Sequence, residues 1–272
     1  MTKEKPRFYK SDKKPIWCTG CGDFTVLTSL AKALSKLELS REEVAVISGI
    51  GCSSRLPAYT SVYGFHGIHG RALPIATGLK VARPELTVLA ASGDGDCFSI
   101  GTNHFIHTCR RNVDITLIVM DNHIYGMTKG QVSPTTEIGF ADKLATHDSD
   151  LQPLQPLALA LVSGASYIAR AYSGEPEQLT DILVEAIKHP GFSFIHLLCQ
   201  CITYCPEQKE WKKLVQPFAE TTSDYAKANK MIEQDNGLQT GVVYNSARRV
   251  WPAATDPGTL QSLDELDKQF IK

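Results

Sequence analysis

Two oxygen-bearing side chains stand where a divalent cation could be held. Gly93-Asp94-Gly95-Asp96 follows the apolar run 87–92, and Asn122 comes 28 residues after Asp94, just beyond the apolar run 114–120. If both runs are adjacent parallel strands, Asp94 and Asn122 become neighbours at one edge of the sheet. A carboxylate and an amide oxygen form a hard donor pair suited to Mg2+, which keeps room for diphosphate oxygens and water. Gly93 and Gly95 would let the backbone approach phosphates, and the helix start behind them favours negative charge. A Gly-Asp-Gly alone is usually a surface turn. The strand before it, the helix after it and the asparagine beyond a second strand make it a candidate diphosphate site.

The second reactive set is thiol. The chain has eight cysteines: Cys18, Cys21, Cys52, Cys97, Cys109, Cys199, Cys201 and Cys205. A chain of this length with no export signal does not call for a disulfide framework. Cys18 and Cys21 form a Cys-x-x-Cys pair before the first helix, and Cys52 sits in the glycine-rich Gly49-Ile-Gly-Cys-Ser-Ser-Arg55. Cys199, Cys201 and Cys205 follow the last apolar strand, so three distant segments can meet at one end of a sheet. Four thiolates could hold zinc or an iron–sulfur cluster, and residue types alone do not separate the two. The Cys-x-x-Cys pair could equally be a thioredoxin-like redox motif. Cys97 and Cys109 fall in a helix and read as small core residues.

The elements that must position these groups alternate. Helices are expected at about 24–37 with Asp23 as N-cap, 72–82, 99–110, 157–163 and 176–188. Apolar strands are expected at 44–48, 87–92, 114–120, 167–171 and 192–198. Strands apolar throughout and separated by helices imply an α/β fold: a three-layer parallel sheet with helices on both faces. Ligands of such sheets bind outside the carboxyl ends of the strands. Residues 122–152 are long, polar and Gly/Pro-containing, and read as a functional loop or lid. Periodicity is weak after Cys205, so the chain divides into a domain over 1–206 and a C-terminal extension over 207–272 that packs on the domain or a partner subunit.

The stretch Asp121-Asn-His-Ile-Tyr-Gly-Met-Thr-Lys-Gly-Gln-Val-Ser-Pro-Thr-Thr136, with the Gly-Asp-Gly ahead of it, carries a resemblance. It resembles the β subunits of the 2-oxoacid:ferredoxin oxidoreductases, most of all the 2-oxoglutarate members (2-oxoglutarate synthases). The likeness covers about 16–206 and implies a thiamine diphosphate-binding fold. It also implies that Asp94, Asn122 and the main-chain carbonyl of Ile124 hold Mg2+. Gly93, Gly95, Asp96, Met127, Thr128, Cys52 and Ser53 would surround the cofactor. Met127 and Lys129 would face the substrate, Lys129 pairing with a carboxylate of the oxoacid rather than standing as a solvated loop lysine. On Gly64-Phe-His-Gly-Ile-His-Gly-Arg71, which also contains His66, His69 and Arg71 would donate to phosphate or substrate, the alternative being a purely structural loop. Arg55 is a similar candidate. His104 and His107 read as core or interface histidines.

The resemblance further implies a 4Fe-4S cluster held by Cys18, Cys21, Cys52 and one late cysteine. Cys201 has the family context in Cys201-Ile-Thr-Tyr204; Cys205, where the family carries asparagine, is the runner-up, and Cys199 is a further departure. No glutamate lies in a family-like context for activating thiamine diphosphate, which implies that an α subunit supplies it. The expected partners are that α subunit, in a heterodimer or a dimer of heterodimers, together with ferredoxin, coenzyme A and a 2-oxoacid. The implied reaction is oxidative decarboxylation of a 2-oxoacid to its acyl-CoA.

Composition sets the outer limits. Lys and Arg total 28 against 29 Asp and Glu, a net charge of −1, which offers no field for nucleic acid or an anionic membrane. Hydrophobic residues make up 43% of the chain, enough to exclude disorder. No apolar run approaches the length of a membrane span, and the first fifteen residues lack a signal-peptide core, so the expectation is a cytoplasmic protein. Three rival readings remain open: a non-redox thiamine diphosphate decarboxylase with structural zinc, an iron–sulfur carrier whose Gly-Asp-Gly is only a turn, and a pyruvate-type oxidoreductase.

Overall fold

The computed structural model describes residues 4–141 and 149–252. The first half of the chain forms α1 (Asp23–Leu37), β1 (Val44–Ser48), α2 (Leu56–Tyr59), β2 (Tyr63–His66), α3 (Ala72–Ala82) and β3 (Thr87–Gly93). Next come α4 (Asp94–Phe98), α5 (Thr102–Arg111), β4 (Thr116–Asp121), β5 (Ile124–Tyr125) and β6 (Gln131–Val132). The second half contributes α6 (Pro156–Val162), β7 (Tyr167–Tyr172), α7 (Pro176–Lys188), β8 (Ser193–Leu198), α8 (Trp211–Leu214), β9 (Gln216–Pro217), α9 (Tyr225–Glu233) and β10 (Gln239–Asn245).

Eight strands make one sheet in the order β2-β1-β3-β4-β8-β7-β10-β9. The six from β2 to β7 are mutually parallel, and β10 runs antiparallel to β7. Strands β1, β4, β7 and β8 are buried along their whole length. Apolar residues on both faces explain this, because each face needs a helical cover. Helices α1 and α7 supply one cover through Leu30, Leu34, Leu179 and Leu183. Helices α3, α5, α6 and α9 supply the other through Leu73, Phe105, Leu157 and Ile232. The three-layer parallel architecture expected from the sequence is therefore present.

Three local expectations change. Gly22, not Asp23, caps α1; Asp23 is its first residue and is buried. The helix expected over 99–110 is α5, starting at Thr102, and the Gly/Asp turn expected before it is itself a short helix, α4, that begins at Asp94 and ends where Ser99 (φ −95°, ψ −108°) leaves the helical region. His66 lies on β2, a fully exposed edge strand, where a loop was expected.

Regular structure also continues past Cys205 where weak periodicity pointed to an extended tail. β10 pairs with β7, and Ile232 and Val243 enter the second core. Its glycine at 241 and its partial burial blur the alternation that would announce a strand. Residues 253–272 of the expected extension, and 142–148 of the expected lid, lie outside the described residues.

Candidate active site and thiol cavity

Because β1, β3, β4 and β8 are adjacent and parallel, the loops leaving them gather at one sheet edge. Gly93 is in register with Met120 and Asp121 with Leu198, which sets the Asp94 turn beside the Asp121-Asn122 turn. Between these loops lies a cavity of about 280 Å3. Its walls include Cys52, Ser53, Gly93, Asp94, Gly95 and Asp96, and opposite them Asn122, Ile124, Met127 and Thr128. His69 lines it as well, whereas Lys129 and Arg71 do not. Lys129 is exposed in the left-handed region (φ 83°) at the turn closing the β5–β6 hairpin. Arg71 donates to the carbonyls of Gly70 and Ile100.

The cavity floor is electrostatically unfinished. Asp94 is 2% exposed. Burial, then the neighbouring Asp121 carboxylate, holds its acid group well above the ordinary carboxylate range. The Thr135 hydroxyl stands 3.1 Å from Asp94 Oδ2 and 2.8 Å from Asp121 Oδ1. A hydroxyl has one hydrogen, so it cannot donate to both. Burial alone would lift Asp121 too, but the His123 imidazole and the His196 hydrogen bond outweigh it and keep Asp121 ionised. Asn122 Oδ1 accepts the Ile124 amide at 3.1 Å, which orients the side chain. Ser53 Oγ is buried and lacks a hydrogen-bond partner among the described residues. A buried carboxyl raised by burial and by a neighbouring carboxylate, an oriented amide and an orphaned hydroxyl fit a divalent cation carrying a diphosphate.

Two of the expected contacts also brace the site. Asp96 accepts from Ile50 N (3.0 Å), Gly70 N (2.7 Å), His69 Nδ1 (2.9 Å) and Ser92 Oγ (2.5 Å). These donors belong to two loops and a strand, so the carboxylate pins the cavity wall together. At Gly95 a Cβ would fall 2.3 Å from the Tyr125 ring, whose hydroxyl donates to Gly95 O. The glycine there is required by Tyr125.

A second cavity of about 210 Å3 adjoins the first and is lined by Cys18, Cys21, Cys52 and Cys201, with Trp17 and Arg55. Cys199 and Cys205 do not line it: Cys199 is buried and donates to Asp23 Oδ1 (3.2 Å), and Cys205 is buried. Among the described residues, no three His, Cys, Asp or Glu side chains converge tightly enough for a single ion. The four thiols instead line the walls of one cavity.

Burial pushes Cys52 up to about 11 and raises Cys21 and Cys201 as well, so positive charge must enter before these thiols ionise. The Trp17 indole donates to Cys52 O at 2.8 Å and fixes that loop.

The two cavities share a wall of Cys21, Cys52, Asn122, Gly126 and Met127. A Cβ placed on Gly126 would lie 3.5 Å from Asn122 Nδ2 and 3.9 Å from the sulfurs of both Cys52 and Cys201. Gln208 ties the same parts from behind: its Nε2 donates to Asn122 O (2.8 Å) and its Oε1 accepts from Cys201 N (2.7 Å).

Gln208 escaped sequence reading, since it belongs to a short 3-10 turn with no pattern around it. Arg170 and His196, which support Asp121, escaped it too. Their signal was available: each is a polar residue inside an otherwise apolar strand, YIARAY and SFIHLL. Of the remaining expectations, Cys97 and Cys109 are buried in the second core. His104 is half-buried and His107 exposed, so neither is a core histidine.

Residues 49–197 match the family model described as thiamine pyrophosphate enzyme, C-terminal TPP binding domain. Among curated relatives, the chain is 46% identical over 198 residues to the 2-oxoglutarate oxidoreductase subunit KorB of Mycobacterium tuberculosis. That match covers 73% of this chain and 53% of the relative, so the chain spans about half the length of that protein. It is 38% identical over 252 residues to the 2-oxoacid:ferredoxin oxidoreductase 1 subunit beta of Aeropyrum pernix, covering 87% of this chain and 79% of the relative. Among solved structures, the 2-oxoglutarate:ferredoxin oxidoreductase from Magnetococcus marinus with 2-oxoglutarate, coenzyme A and succinyl-CoA bound superposes with a TM-score of 0.89. Identity to it is 38%, over 92% of this chain and 88% of that one.

Proposed function

This chain belongs to the β subunits of the 2-oxoacid:ferredoxin oxidoreductases, and from that premise we propose that it is the cofactor-bearing subunit of an enzyme oxidising 2-oxoglutarate to succinyl-CoA. Asp94, Asn122 and the Ile124 carbonyl hold Mg2+ there, Gly93 and Ser53 face the diphosphate, and Cys18, Cys21, Cys52 and Cys201 carry a 4Fe-4S cluster. Bound thiamine diphosphate would supply the carbon nucleophile and electron sink that decarboxylation needs, and the cluster a one-electron outlet to ferredoxin.

The chain's own residues do the placing. Asp94 and Asn122 anchor the cation on adjacent strand ends, while Asp96 and Tyr125 brace the loops around it. His69 is held by Asp96 at the cavity wall, where it can donate toward a phosphate or an oxoacid carboxylate. Lys129, exposed beyond the wall, meets an oxoacid carboxylate at the mouth, and Arg71 supports the loop carrying His69. Among the described residues no glutamate lines the cavity, which supports an α subunit that completes it. Among the described residues no helix is long and apolar enough to cross a membrane, and oxygen-sensitive thiol ligands fit the reducing cytoplasm.

The observation that carries this reading is the shared wall: Asn122, Gly126, Cys21, Cys52 and Met127 line both cavities, and a Cβ on Gly126 would lie within 4 Å of Asn122 Nδ2 and of the Cys52 and Cys201 sulfurs. The test is anaerobic purification of the chain with its α subunit. About four irons per β chain, and viologen or ferredoxin reduction dependent on 2-oxoglutarate and coenzyme A, are expected. Zinc in place of iron, or faster turnover of pyruvate, would overturn the cluster or the substrate assignment respectively.

A further inference from the structure

One line of buried polar side chains runs under the sheet edge from the C-terminal segment to the cation pair. Asp235, just after α9, accepts from Arg170 Nη1 on β7 through Oδ2, while its Oδ1 accepts the amides of Gly237 (3.0 Å) and Gln239 (3.3 Å). Arg170 Nε donates to His196 Nδ1 on β8 at 3.0 Å. The guanidinium always carries its hydrogens, so Nδ1 must accept and the imidazole proton sits on Nε2. That Nε2 donates to Asp121 Oδ2 at 2.8 Å. Asp121 in turn meets the Thr135 hydroxyl, which reaches Asp94. Side-chain exposure is 4% for Asp235, 3% for Arg170, 4% for His196 and 1% for Asp121.

Such a chain is a poor way to gain stability, since well-packed apolar residues hold a core as well or better than buried ion pairs. Its effect is directional. With His196 locked as an Nε2–H donor, Asp121 cannot swing toward the cavity, and its other oxygen takes the Thr135 hydrogen. Thr135, held against Asp121, thereby sits beside Asp94 Oδ2 and, with Ser133, fixes the carboxyl that lines the cavity.

We propose that Asp235, Arg170 and His196 are positioning residues for the cation site: they hold the Asp121 carboxylate and the Thr135 hydroxyl so that Asp94 is presented to the metal. The C-terminal segment carrying Asp235 and β10 thereby takes part in cofactor binding without touching the cofactor. This inference rests on the reading of Asp94 and Asn122 as the cation's holders.

The test uses the αβ complex stripped of thiamine diphosphate, with calorimetric titration of thiamine diphosphate at a series of Mg2+ concentrations. Removing a group that orients a metal ligand weakens metal binding about 10- to 100-fold, and His196→Phe is expected to do so. His196→Gln, whose amide nitrogen replaces Nε2 as donor, is expected to recover most of the loss. Iron content and visible absorption should not change in either.

Equal weakening in His196→Phe and His196→Gln would mark a packing effect and overturn the proposal, as would wild-type Mg2+ dependence in His196→Phe. Asp94→Ala separates the two readings. If it too binds as wild type, the cation site itself is misplaced; if it fails while His196→Phe binds normally, only the positioning line falls. Thr135→Val, which deletes the shared hydroxyl at constant shape, serves if His196→Phe does not assemble; unchanged affinity in it overturns the proposal equally.

Discussion

Replacing Gln208 by leucine probes the join between the two sites. Gln208 is 4% exposed, and its amide satisfies the Asn122 carbonyl and the Cys201 amide at 2.8 and 2.7 Å. Leucine matches its volume but neither hydrogen bond, and a buried group left unpaired costs about 1–3 kcal/mol each, hence about 2–6 kcal/mol for the two. If the share belonging to Asn122 is felt in the cation-bound state, Mg2+-dependent thiamine diphosphate binding weakens by up to about 100-fold, since 1.4 kcal/mol is tenfold.

The Cys201 share is read separately, as faster loss of visible absorption when the anaerobic αβ complex is exposed to a chelator. Gln208→Glu should be worse than leucine for thiamine diphosphate binding, because it sets a carboxylate oxygen against the Asn122 carbonyl. A Gln208→Leu complex with wild-type affinity and wild-type cluster lifetime would refute the idea that one amide couples the sites.

Further predictions concern single groups. Cys201→Ser should cost the complex its iron, whereas Cys205→Ser should keep about four irons per chain, because only Cys201 lines the thiol cavity; the reverse ranking would reassign the ligand. Asp94→Ala should abolish Mg2+-dependent binding of thiamine diphosphate while leaving visible absorption intact, and loss of both would show that the turn supports the fold instead. Burial raises Asp23 from 3.8 to about 6. A carboxyl raised in the folded state stabilises it below the unfolded value, and that contribution is lost as pH climbs through 6. Asp23→Asn should therefore flatten the stability profile of the apo complex between pH 4 and 8 by about 3 kcal/mol, read by denaturant unfolding. A profile as steep as wild type would place the titration elsewhere.

Much of the site was legible in the sequence because its determinants are local. Gly93-Asp94-Gly95 and Asn122 each close an apolar strand, and two successive strands of an α/β chain are adjacent often enough that their ends meet. Cys18, Cys21 and Cys52 likewise precede or follow predicted elements at the same sheet edge. Choosing Cys201 over Cys205 needed the family context, and the structure brings the first, not the second, into the thiol cavity.

What stayed hidden depends on tertiary register. Whether Asp96 meets phosphate or protein is decided by the Ile50 and Gly70 amides, 46 and 26 residues away. Gln208 and Asp235 sit in stretches with no periodicity to mark them, and their partners are 86 and 65 residues distant. Strand β10 escaped for a related reason: it gains its order from pairing with β7, which no local pattern encodes.

Electron paramagnetic resonance of the reduced αβ complex with Mn2+ in place of Mg2+ tests the shared wall most directly. With thiamine diphosphate bound, the manganese beside Asn122 should strongly speed the relaxation of the reduced cluster, and Asp94→Ala should abolish that effect. Stoichiometric Mn2+ and thiamine diphosphate binding with unaltered cluster relaxation would contradict the placement of the two centres on either side of the shared wall.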